Sequence, residues 1–151
     1  MKTDSRILLA DVNVLLALAW PNHQFHPEAL YRFVDPAQQW ATCALTQLAF
    51  VRLSSNPATG LGAKSPAESE ALLRVMTADS RHVFFETLPA MSSEKFAATW
   101  SILMGHKQIN DAYLVRLASY YNAKLLTFDR RLTGLAEQGS VEVVLPFPNL
   151  A

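Results

Sequence analysis

Asp11, Asp111 and Asp129 stand where a parallel α/β sheet would gather side chains for chemistry. Asp11 ends the apolar run 7–10, and a helical apolar pattern follows at once, with Val12, Leu15, Leu16 and Ala19 on one face. Asp129 closes the run 124–128 and is likewise followed by a helical segment. Asp111 opens a helix three residues before Leu114, on the inward flank of its first turn. Strands of a parallel sheet end on one edge, and ligands of open α/β sheets bind there. Singly, each aspartate also suits a helix N-cap, where it would satisfy free backbone N–H groups, so both readings stand at this point. Three carboxylates together are another matter, because like charges held close cost free energy unless one protonates or a cation lies between them. Oxygen ligands of this kind suit Mg²⁺ or Mn²⁺, with water and substrate phosphate completing the coordination. Such a site can deprotonate water for phosphodiester hydrolysis.

The elements that must position these acids alternate along the chain. Strands are expected at 7–10, 39–43, 82–86, 124–129 and 141–145. Helices are expected from Val12, from His26 with Pro27 in its first turn, over 45–54, over 93–104, over 110–121 and over 130–138. Another helix begins behind Ser65-Pro66-Ala67-Glu68, a capping box with Pro at the first helical position, and Leu72, Val75 and Met76 supply its buried stripe. Ala29, Leu30 and Phe33 share a face of the second helix, and the helix over 45–54 is apolar nearly all round, as expected between layers or in a subunit interface. Residues 56–64 form the one obvious loop. Alternation of this type specifies an α/β protein with a mostly parallel sheet covered on both faces, and a chain of 151 residues, 1–151, is one domain by size.

Composition narrows the function. Thirteen basic and thirteen acidic side chains cancel, which argues against coating nucleic acid by bulk charge and leaves only a local basic rim to bind phosphate. The single cysteine, Cys43, excludes an intrachain disulfide and sits in an apolar run with no cationic neighbour, as an inert buried thiol does. Asp11 and Asn13 interrupt the first apolar run, so neither a signal peptide nor a membrane span is expected, and a reducing cytoplasm is the default location. No glycine falls in a nucleotide-binding loop pattern. His23 and His26 are not spaced for zinc. Lys107, Arg116, Arg130 and Arg131 are near the acids in sequence and could contact a nucleic-acid backbone, or simply face solvent. Arg52, a charge in an apolar helix, should have a partner.

The segments 9–18 (Leu-Ala-Asp-Val-Asn-Val-Leu-Leu-Ala-Leu), 46–53 (Thr-Gln-Leu-Ala-Phe-Val-Arg-Leu), 110–114 (Asn-Asp-Ala-Tyr-Leu) and 126–129 (Leu-Thr-Phe-Asp) resemble, in order, the signatures of PIN-domain ribonucleases, and within them the VapC toxins of prokaryotic toxin–antitoxin pairs. The resemblance implies a three-layer α/β/α sandwich, RNA cleavage with Mg²⁺ or Mn²⁺, and inhibition by a cognate antitoxin. It makes Asp11, Asp111 and Asp129 the metal ligands and Asn13 and Asn110 their polar neighbours. It also implies a homodimer, which the apolar helices over 48–53 and 26–33 could supply. The departure is Gln47, where most members carry a glutamate; a neutral amide there removes one negative charge from the site. Arg52 and Arg130 complete the expected surroundings.

Two other readings follow from that departure: a module that binds RNA or an antitoxin without cutting, and an RNA-processing nuclease with no antitoxin. A haloacid-dehalogenase-type phosphatase is disfavoured because Asn13 stands where that chemistry needs a second acid.

Overall fold

A computed structural model describes residues 4–86, 90–135 and 139–148. Five short strands, β1 (Leu8–Ala10), β2 (Trp40–Cys43), β3 (His82–Phe85), β4 (Lys124–Thr127) and β5 (Val141–Val143), form one sheet in the order β3-β2-β1-β4-β5. Every pairing is parallel, with Leu9 opposite Ala41 on one side and Leu125 on the other. The strand order reverses between β1 and β4, and the acid-bearing ends of both strands lie at that switch point.

The period of two along each strand divides the core. Leu8 and Ala10 face one layer, with Val14 and Leu15 of α1 (Val12–Ala19), Phe50 of α3 (Ala44–Ser54) and Leu73 of α4 (Pro66–Thr77). Leu9 and Leu125 face the other, against Leu114, Leu117 and Ala118 of α6 (Ile109–Tyr120). The arrangement is a three-layer α/β/α sandwich, and α2 (His26–Tyr31) packs beside α1. No helix among the described residues is long and apolar enough to cross a membrane. Cys43 is buried and free, as expected.

Local chemistry sets the ends of the site-bearing elements. Thr46 Oγ1 accepts from the backbone N–H of Cys43 and donates to its carbonyl, both at 3.1 Å, so α3 starts directly from β2. Asn122, at φ 52°, lets the Ala123 N–H donate back to the Ala118 carbonyl at 2.8 Å; this closes α6 and feeds the chain straight into β4.

Several expectations change. In α4, Leu72 and Met76 pack against the core as expected, but the fully buried positions are Ser69 and Leu73 and Val75 is exposed; a small buried serine is invisible to apolar periodicity. Leu30 of α2 is likewise half-exposed while Ala29 is buried. The expected long helix over 93–104 is a 3₁₀ turn, Glu94–Phe96, followed by the five-residue α5 (Ala97–Ser101). Ser101 Oγ donates back to the Ala98 carbonyl at 2.8 Å, and the helix stops there. The segment after Asp129 is a 3₁₀ turn, Arg130–Leu135, and the remainder of the expected helix, 136–138, lies outside the described residues.

Candidate active site

Asp11 caps α1 at the end of β1 and is buried. Each of its oxygens has a donor: the Val12 N–H reaches Oδ1 and the Thr127 hydroxyl reaches Oδ2, both at 2.8 Å. Burial nevertheless holds its carboxyl above the ordinary carboxylate value, with the charge of Asp129 adding to the rise and the two donors opposing it. Thr127, fully buried at the end of β4, does more than support Asp11. Its oxygen also accepts from the Asp129 backbone N–H at 3.1 Å and from Asn13 Nδ2 at 3.3 Å. Asn13 Oδ1 in turn accepts from the Phe128 N–H at 3.4 Å. One hydroxyl thus ties the ends of β1 and β4 together.

Asp111 is not a helix cap. α6 begins two residues earlier, at Ile109, so Asp111 lies inside the first turn, where its charge favours the helix dipole. No hydrogen bond to its carboxylate is formed among the described residues. Its carboxyl is pushed up to about 6, chiefly by burial and then by the negative charges of Asp11 and Asp129, with Arg131 partly offsetting them. Asp129, by contrast, accepts from the Arg131 backbone N–H at 2.9 Å and forms an ion pair with its guanidinium at 2.8 Å, and these hold it below the usual carboxylate range. The fold therefore brings the three acids within electrostatic reach of one another, two of them in use as local supports and one free.

Asp11 and Asp111 line a cleft of about 530 Å³ between α1, α3 and α6. Its walls are largely apolar, with Val12, Leu45, Leu48 and Leu114, and Asn110 and Arg52 supply polar edges. Asp111 also borders a smaller hollow shared with Lys107 and Arg131.

Not every expected residue arrives. Gln47 does not line the cleft; its amide Nε2 donates to Thr42 Oγ1 at 2.9 Å, and Thr42 is joined to His82 Nε2 at 2.8 Å. Arg130 is exposed, and no acid among the described residues pairs with it; Arg131 holds the acid instead. Arg52 has no ion-pair partner among the described residues and faces the cleft, contrary to the expectation of a partner. Thr127 was the residue to find: strand alternation puts it on the same side as Asp129, two positions on.

The donor set suits a hard divalent cation. It is all oxygen, and the repulsion among the carboxylates, which adds to burial in raising Asp111, is one that a cation would relieve. Among the described residues no three His, Cys, Asp or Glu side chains are grouped closely enough to hold a metal ion by themselves.

Comparison with known proteins agrees with the geometry. The family profile described as PIN domain matches residues 8–138. The chain is 36% identical over 138 residues to ribonuclease VapC39 of Mycobacterium tuberculosis, which covers 90% of this chain and 98% of that protein. It is 34% identical over 131 residues to ribonuclease VapC38 of the same species (86% and 90%), and 30% identical over 139 residues to ribonuclease VapC29 (92% and 96%).

Proposed function

The chain belongs to the PIN-domain family, and from that premise we propose that it is a divalent-metal-dependent endoribonuclease acting as the toxin of a toxin–antitoxin pair. The observation that carries this reading is the meeting of Asp11, Asp111 and Asp129 at the β1/β4 switch point, with two of them lining an open cleft. Asp11, Asp111 and Asp129 would hold the cation, Mg²⁺ or Mn²⁺. When bound, it supplies Lewis acidity, activating water and neutralising the charge of a phosphodiester. The chain's own residues do the positioning. Thr127 fixes Asp11 and the backbone of Asp129, Asn13 fixes the adjoining turn, and Asn110 stands beside Asp111 in the cleft. Arg52 and Arg131 place positive charge on either side of the acids, as an RNA backbone requires. Water adds across the P–O bond, and the leaving oxygen takes up a proton.

RNA is then the substrate and a cognate antitoxin the inhibitor. The exposed apolar residues Leu48 of α3 and Leu30 and Tyr31 of α2 are where a second copy would dock to form a homodimer. The test is cleavage of labelled RNA with Mg²⁺ or Mn²⁺, by wild type and by Asp111→Asn. Chelator-sensitive cleavage lost in the variant is expected; an active Asp111→Asn protein would overturn the assignment. One observation favours a non-cutting RNA-binding module instead: Asp129 is engaged by Arg131, and Gln47 brings no charge. That reading predicts RNA retention unaffected by EDTA and no cleavage with either metal.

A further inference from the structure

Beside the acidic edge lies a group of rings that the chemistry above does not use. Phe128 is the residue before Asp129, and its backbone N–H is held by Asn13. Its ring stacks on Phe25, with centroids 5.1 Å apart and planes 26° apart, and on His23, at 6.2 Å and 21°. His23 and Phe25 are 6.1 Å apart. Phe128 is thus near-parallel to both neighbours, while His23 and Phe25 are inclined to each other by 47°. All three residues are half-buried. His23 and Phe25 come from the connection between α1 and α2, and Phe128 from the end of β4. His23 Nδ1 accepts from the Phe25 N–H at 3.1 Å, which fixes the imidazole against the adjacent ring.

A core aromatic cluster is expected to be buried, and a surface apolar patch is expected to be away from charge. This cluster combines the two: Phe128 packs against the core layer of Leu8, Ala10 and Leu126, yet it is the residue next to Asp129, a Cα spacing of about 3.8 Å. The rings lie outside the cleft itself, on the other side of the β4 end, so they are reached by a nucleotide next to the one at the acids and not by that one. Single-stranded RNA is held by stacking bases on such side chains while cations track its phosphates. We propose that His23, Phe25 and Phe128 form a stacking platform for an unpaired nucleobase of RNA next to the phosphate held at the acidic edge. The platform rests on the nuclease reading given above. It selects single-stranded over duplex RNA, because only an unpaired base offers a free face, and it makes little distinction among bases.

The test is binding, in EDTA so that nothing is cut, of a short single-stranded oligoadenylate carrying one 2-aminopurine. Wild type is compared with Phe25→Leu, which keeps apolar volume, and Phe25→Trp, which keeps a π-face; thermal melts check that both are folded. Binding by wild type should quench the 2-aminopurine. Phe25→Leu should bind about five- to 150-fold more weakly, the range that base–aromatic stacking gives, with an unchanged salt slope, and Phe25→Trp should bind like wild type. A folded Phe25→Leu with wild-type affinity and quenching overturns the platform. If Phe25→Leu proves unfolded, His23→Leu replaces it, with the same expected and overturning results. Metal-dependent cleavage by wild type is measured in parallel. Cleavage that persists while these variants bind normally removes the platform alone, whereas a wild type that neither binds nor cleaves RNA removes both readings.

Discussion

Replacing Thr127 by valine keeps the shape of a fully buried side chain and deletes one oxygen that serves three partners. The largest loss is the hydrogen bond to the Asp11 carboxylate, since bonds to charged groups contribute about 1.5–3 kcal/mol. The Asp129 N–H and Asn13 Nδ2 also lose their acceptor, but both are only partly buried, so water recovers much of that cost. A net destabilisation of about 2–4 kcal/mol follows, or roughly 5–15 °C in Tm for a domain of this length. Its pH dependence distinguishes this cause from simple packing. The folded-state carboxyl of Asp11 is raised by burial, so ionisation of Asp11 weakens folding as pH rises through that value, and Thr127 opposes the rise. Without the hydroxyl the carboxyl goes higher still. The difference between variant and wild type is therefore full where Asp11 is ionised in both, and it shrinks on acidification as both become protonated, leaving about 1 kcal/mol for the neutral hydrogen bond. Urea unfolding in EDTA across a pH series measures this directly. A deficit that does not change with pH, or one below about 1 kcal/mol above neutrality, would refute the reasoning.

Asp111→Asn should stabilise the metal-free protein: the folded carboxyl near 6 lies above its unfolded value, so wild type loses stability as pH climbs from about 4 through 6 and the variant does not. Mn²⁺ should then raise the Tm of wild type and leave the variant unmoved, which a pair of melts decides. Arg131→Gln frees Asp129 from its ion pair; calorimetry should show tighter Mn²⁺ binding, while RNA binding weakens and its salt slope drops by about one. Gln47→Glu cannot donate to Thr42, so it should cost about 0.5–1.5 kcal/mol without changing the Mn²⁺-induced shift, and a larger shift would place residue 47 in the metal site after all. Leu15→Ala, at a fully buried position, should cost about 2–5 kcal/mol in urea unfolding while leaving the cleft residues in place.

The β1–Asp11–α1 unit, the parallel sheet and the gathering of three acids were legible in the sequence because each rests on local rules: strand period, helix period and the shared edge of parallel strands. The failures share a different cause. Gln47 was assigned by its place in a motif, yet its amide finds Thr42, a partner brought close only by the turn from β2 into α3. The pairing of Arg131 with Asp129 was not foreseen, because it depends on the 3₁₀ turn after β4, which aims that arginine back. Ser69 is buried and Val75 exposed, a choice that apolar periodicity alone does not make because serine carries no hydrophobic signal. The helix over 93–104 is instead a 3₁₀ turn and a five-residue helix with Ser101 Oγ turned back onto the Ala98 carbonyl, local geometry that leaves no trace in hydropathy.

The pairing of β1 with β4 also orders events during synthesis. Leu9 and Leu125 are neighbours in the sheet, yet most of the chain separates them. A ribosome that has made β1, β2 and β3 has delivered Asp11 alone; the slot beside β1 stays open until β4 emerges, and only then can Thr127 close on Asp11 and bring Asp129 alongside. Nascent and prematurely terminated chains ending before residue 124 therefore carry no acidic cluster. A cell making this protein meets the assembled site only with nearly complete chains, so any partner that must restrain it has the whole of elongation in which to be present.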